Sequence, residues 1–183
     1  MRPSLAAGMS ALATATACLS ACGHAATLTP SATPPSQATP TASPSIDAAA
    51  VTSAAAAALT RAVQEYNDLL NTSAPLLRAG VAQQNPVQTR TAGFRLLSAT
   101  DAFYDTIRRG SEPLTARADA TVLVTTTDSL RTDFDALASA GTWDEVQGAL
   151  SDLPGAQQAQ ESAINRVAAD LGQPPLSLVR VLG

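Results

Sequence analysis

Lysine is missing from this chain; all eleven of its basic residues are Arg. Histidine occurs once, at His24, and cysteine twice, at Cys18 and Cys22. Each shortage removes a class of chemistry. A phosphate-cradling loop that ends in Lys cannot form. Zinc sites need clustered Cys and His, and helical di-metal bundles need Glu-x-x-His pairs; neither pattern occurs. A Ser-His-Asp set has no histidine to use beyond residue 24. Aromatic residues make up 3% of the chain, too few for a base-stacking platform, so Tyr66, Phe94, Phe103, Tyr104, Phe134 and Trp143 are expected in helix packing. Beyond Ala21 the chain carries 10 Arg against 15 acidic residues, because Arg2 is the sole charge before it. A net negative body excludes electrostatic binding to nucleic acid and a peripheral grip on anionic lipid. No cofactor is expected and no enzyme.

The first 24 residues are apolar or small apart from Arg2 and His24, and they form a run too short and too weakly hydrophobic for a permanent span. The run ends in Leu19-Ser20-Ala21-Cys22-Gly23. This stretch resembles the lipobox of bacterial lipoproteins, with Leu three residues before the cysteine and small residues between. The resemblance covers the export signal alone. It implies that residues 1–21 are a signal peptide, that Cys22 receives a diacylglycerol on sulfur, and that Cys22 is the first residue of the mature chain. Cys18 fits less well, because Ala15, not a large apolar residue, stands three before it. A plain signal peptide cut after Gly23-His24-Ala25 is the alternative. Two or three acyl chains on one residue give stable membrane residence, since each buried methylene contributes about 0.8 kcal/mol. The expected place is the cell membrane, on its extracytoplasmic face.

Residues 22–46 hold the lipidated cysteine and a tether. Five prolines stand among nine Ser and Thr between Ala25 and Ile46. Nothing there can bury a core, so the tether is expected to be disordered and extended, and its Ser, Thr and Pro content suits O-glycosylation.

From Asp47 the spacing becomes helical. Val51, Ala55, Leu59, Val63, Tyr66 and Leu70 recur at threes and fours, which predicts a helix over 47–71. Pro75 is expected to interrupt it, with 76–83 a short helix or a kinked continuation. Asn85-Pro86 is a start signal for a second helix ending at Arg109, before Gly110. Ser111 and Pro113 predict the start of a third. Its seam is Leu123, Thr127, Leu130, Phe134 and Leu137, with a strand over the β-branched run 121–127 as the rival. Thr142 and Glu145 fit a capping box for a fourth, whose seam Val146, Leu150, Leu153, Gln157, Gln160, Ile164, Val167 and Leu171 passes through Pro154. Residues 47–183 are therefore expected to form an all-α domain, an up-down four-helix bundle.

Two features stand apart. Gln157 and Gln160 occupy seam positions, where a buried amide needs partners; they either bond within the bundle or line a small polar pocket. The apolar tail from Leu176 to Leu182 either docks along a groove or forms an exposed strip for a partner. The functional expectation is a non-enzymatic lipoprotein held to the membrane by its anchor, acting by contact with another envelope protein or the cell wall. The alternative is a lipoprotein that binds a small ligand inside the bundle.

Overall fold

The computed structural model describes residues 47–110, 113 and 115–183. The expectations for the signal peptide, Cys22 and the tether fall on residues 1–46 and lie outside the described residues, as does Ser111. The described part is an up-down four-helix bundle: α1 (Ala48–Ala82), α2 (Pro86–Arg109), α3 (Arg117–Ser139) and α4 (Trp143–Asp170). α1 packs along α2, α2 along α3, and α3 along α4. None of these helices is long and apolar enough to cross a membrane.

Caps follow the chemistry of the sequence. Asp47 accepts from the Ala49 N–H at α1, and Asn85 accepts from the Gln88 N–H at α2, with Pro86 in the first turn. Thr142 and Glu145 form the full capping box of α4. Two helices end alike. At α1 the Asn85 N–H reaches the Gly80 carbonyl and the Gln84 N–H that of Val81; at α4 the Gln173 N–H reaches Ala168 and the Gly172 N–H reaches Ala169. Both are six-to-one, five-to-two terminations that place one residue in the left-handed region. In α4 that residue is Gly172, at φ 69°; in α1 it is Gln84, at φ 49°, where a side chain is strained.

Two boundaries differ from expectation. α1 does not stop at 71 but runs through Pro75 to Ala82. The missing hydrogen bond and ring clash of an interior proline disfavour this by roughly 3 kcal/mol. The buried stripe continues in register, however, through Leu70, Ser73, Ala74, Leu77 and Gly80, all against the bundle. Burying Leu70 and Leu77 offsets the local cost. α3 starts at Arg117, not at Ser111, and its N-cap, Ala116, makes no side-chain bond. The β-branched run is helical, and its hydroxyls bond back: Thr121 to the Arg117 carbonyl, Thr125 to that of Thr121 and Thr126 to that of Leu123. α4 continues through Pro154 with its seam intact.

The core runs the length of the bundle. Tyr66 stacks on Phe103 with ring centroids 4.6 Å apart and planes 10° apart. Phe94 departs from its expected place in packing and is 58% exposed. It sits between the buried positions Gly93 and Leu96 and edges an open depression shared with Leu69 of α1.

Candidate functional site

The seam between α1 and α4 is filled by the C-terminal segment. Residues 173–180 are irregular rather than helical, and Leu178 and Val181 are buried in the core. Side chains from both helices hold its backbone. From α1, Asn67 donates Nδ2–H to the Ser177 carbonyl at 2.9 Å and accepts the Val179 N–H on Oδ1 at 2.9 Å. From α4, Gln157 donates Nε2–H to the Val179 carbonyl at 3.3 Å and accepts the Val181 N–H at 3.2 Å. Asn165 accepts from Leu176 at 2.7 Å and Glu161 from Leu178 at 3.2 Å. Glu161 also pairs with Arg180. Two amides, each presenting a donor and an acceptor, thus satisfy the segment's backbone much as a neighbouring strand would. The tail docks in a groove, and Gln157 belongs to that dock.

Gln160, three residues on, belongs to a buried polar layer that takes one residue from each helix. Its Nε2–H donates to Thr127 Oγ1 at 3.2 Å, and its Oε1 is buried without a partner. Thr100 donates its hydroxyl to the Leu96 carbonyl at 2.8 Å, so it receives the Tyr66 hydroxyl, 3.0 Å away, as an acceptor. Gln160 also lies within hydrogen-bonding reach of Tyr66. Turning the Gln160 amide by half a rotation exchanges Nε2–H and Oε1, so that Oε1 accepts from the Thr127 hydroxyl. Burial pushes the Tyr66 phenol up to about 12, with Thr100 and Gln160 acting against that rise. At neutral pH it is a fixed hydrogen-bond donor, not an acid or base. Gln157 and Gln160 are neighbours in sequence that the structure commits to different partners.

Three carboxylates on α2 and α3 have structural occupations. Asp101 and Asp128 both hold Arg131, at 2.5 and 2.7 Å, and Arg131 lies over the Tyr104 ring at 4.7 Å. Asp105 pairs with Arg109 at 3.1 Å. Among the described residues no group of three or more His, Cys, Asp or Glu is arranged to hold a metal ion.

The bundle has an opening at one end. The first turns of α1, the last residues of α2 and α4 and Leu123 of α3 surround a half-enclosed cavity of about 430 Å³. Its lining is aliphatic: Val51, Ala55, Leu59, Ile107, Leu123 and Val167 supply much of it, with Ala54, Ala58, Ala62 and Leu171. Among the described residues, Thr106 is the one in the lining with a polar side chain, and its hydroxyl is engaged by the Ala102 carbonyl at 2.8 Å. Neither Gln157 nor Gln160 lines it. Sequence reasoning placed Val51, Ala55 and Leu59 on the buried arc but did not see that nothing bulky would face them. The signal was the run Ser53-Ala54-Ala55-Ala56-Ala57-Ala58, more than a turn of helix with little side-chain volume on any face. A second, shallower depression lies between α1 and α2, where Leu69 and Phe94 flank Thr72, Ser73 and Ser98.

No protein family, curated protein or solved structure matches this chain.

Proposed function

We propose that this chain is a lipid-anchored lipoprotein of the extracytoplasmic membrane face, and that its helical body works by binding rather than by catalysis. The anchor reading rests on Leu19-Ser20-Ala21-Cys22 and the Pro, Ser and Thr-rich residues after it. The observation that carries the binding reading is the aliphatic cavity at the end of the bundle where α1 begins. Its size falls in the range of about 300–1,000 Å³ usual for small-molecule sites. Its described lining offers surface for hydrophobic contact and no free polar side chain.

A second reading is supported by a different surface. Leu69, Val87 and Phe94 are 45%, 60% and 58% exposed on α1 and α2, an apolar group suited to a partner protein of the envelope or to the cell wall. A photo-reactive residue placed at Phe94, or in separate cells at Ala54, distinguishes the two. Adducts of lipid size from position 54 support the cavity, and adducts of protein size from position 94 support the contact reading. Mass spectrometry of the chain isolated from its native membranes tests the anchor. A mature N-terminus at acylated Cys22 is expected, and an unmodified chain starting elsewhere overturns it.

A further inference from the structure

We infer that the end cavity receives one fatty acyl chain of a membrane lipid, an inference that rests on the binding reading above. Volume is the first argument. An apolar cavity of roughly 150 Å³ accommodates benzene, six carbons. Scaled on that basis, about 430 Å³ corresponds to roughly 16–18 carbons, the size of a membrane acyl chain.

Shape is the second. The α1 wall runs from Val51 through Ala55 and Ala58 to Ala62. The eleven helical rises between them, at 1.5 Å each, make a trough roughly 16 Å long, which suits a chain better than a ring. Chemistry is the third. With Thr106 already bonded to its own helix, the lining among the described residues presents no free side-chain hydroxyl, amide or charge to a polar ligand. The hydrocarbon is the recognised part.

Placement is the fourth. The chain preceding the bundle ends at the cavity: Val51 lines it four residues after Asp47. Cys22 lies 25 residues before Asp47, and a Pro-rich segment of that length reaches at most roughly 80 Å at about 3.1 Å per residue. An anchor at Cys22 therefore joins the bundle at its cavity end, so along the chain that end is the nearer to the bilayer.

The test uses the full chain with Cys22→Ser, made in a cell-free system so that it carries no acyl group, and the polyene fatty acid cis-parinaric acid as fluorescent probe. Saturable binding is expected. Saturated fatty acids from eight carbons upward should displace the probe, each added methylene tightening binding by up to roughly fourfold and the gain levelling off near 16 carbons. Ala58→Trp, at an exposed lining position, and Ala54→Glu should each weaken binding at least tenfold while leaving the circular dichroism spectrum unchanged. Phe94→Ser should leave binding as it was. Lipidated protein taken from membranes should carry one non-covalent lipid in native mass spectrometry.

Several results overturn the inference. Binding that ignores chain length does so, as does binding that follows Phe94→Ser instead of the cavity variants. If benzene binds but no fatty acid does, the acyl inference falls and the binding reading stands; if neither binds, both fall. Lipidated protein that holds no extra lipid and also refuses the probe has its own anchor chain in the cavity, which removes the membrane lipid as occupant. Self-association abolished by Ala58→Trp, without fatty acid binding, assigns the cavity to a second copy.

Discussion

The two ends of the bundle use small residues to opposite effect. At the end that carries the α1–α2 and α3–α4 turns, Gly80 and Gly93 let backbones touch. A Cβ on Gly80 would lie 2.7 Å from Thr89 Oγ1 and 2.9 Å from Thr89 N, and one on Gly93 would lie 2.8 Å from Ala138 N. At the other end Ala54, Ala55, Ala58 and Ala62 leave a cavity of about 430 Å³. A small side chain invites close approach only where the facing helix comes near enough to use the space. α2 does so at Gly80 and α3 at Gly93. The seam between α1 and α4 instead opens toward the end where α1 begins, and the C-terminal segment fills the part beside Asn67 and Gln157.

The largest effect expected is from deleting residues 176–183, which would extend the open end down the α1–α4 seam. Losing Leu178 and Val181 from the core should lower unfolding free energy by roughly 3–6 kcal/mol at about 1.5–3 kcal/mol each. Urea unfolding measures it, and an unchanged midpoint would show that the dock contributes nothing. Next, Gly93→Leu pushes a side chain into the α3 backbone and should cost up to about 3 kcal/mol. A neutral result would mean that the tight end is not tight. The corresponding change at the open end has the other sign. Ala55→Leu adds apolar atoms where there is room and should stabilise by up to about 1 kcal/mol, raising Tm by a few degrees. It should also reduce fatty acid binding, which links packing to the proposed site.

The smallest effect is electrostatic and lies at the tight end. The Glu145 carboxylate accepts from the Gly141 and Thr142 N–H groups at 2.7 and 3.0 Å, and these bonds hold its pKa below the usual carboxylate range. A depressed folded pKa contributes stability that is full above the ordinary Glu range and is lost as pH falls through the lowered value. The Tm difference between the wild type and Glu145→Gln should therefore be present at neutral pH and shrink on acidification. A difference that widens toward acid would break the assignment. Asp133 has the opposite sign, because burial and then the charge of Asp152 raise its pKa, so its carboxylate opposes folding at neutral pH.

Much of this fold was legible because its signals are local. The N-caps Asn85 and Thr142, the stop before Gly110 and the seam of α4 across Pro154 are visible as residue types at fixed spacing. Two boundaries were misjudged where local signals competed with packing. Pro75 looked like a break until Leu77 and Gly80 proved to continue the buried stripe, and Ser111 and Pro113 looked like a start that α3 takes up only at Arg117. Of the site, Gln157 and Gln160 were recognised as buried amides needing partners, but their separate partners, Val179 with Val181 and Thr127, lie on elements far away in sequence. The cavity was not legible, because empty space has no residue of its own.

Alone, the order of residues determined how many helices form, where three of the four begin, and which faces turn inward. Those properties follow from a period of 3.6 residues and from side chains that bond to nearby backbone. The tertiary structure decided that α1 survives its proline, that the tail lies between α1 and α4, and that one alanine-rich face stays open while glycines opposite it close. Each of these depends on what faces a residue across the bundle, and burial is a property of neighbours, not of the residue buried.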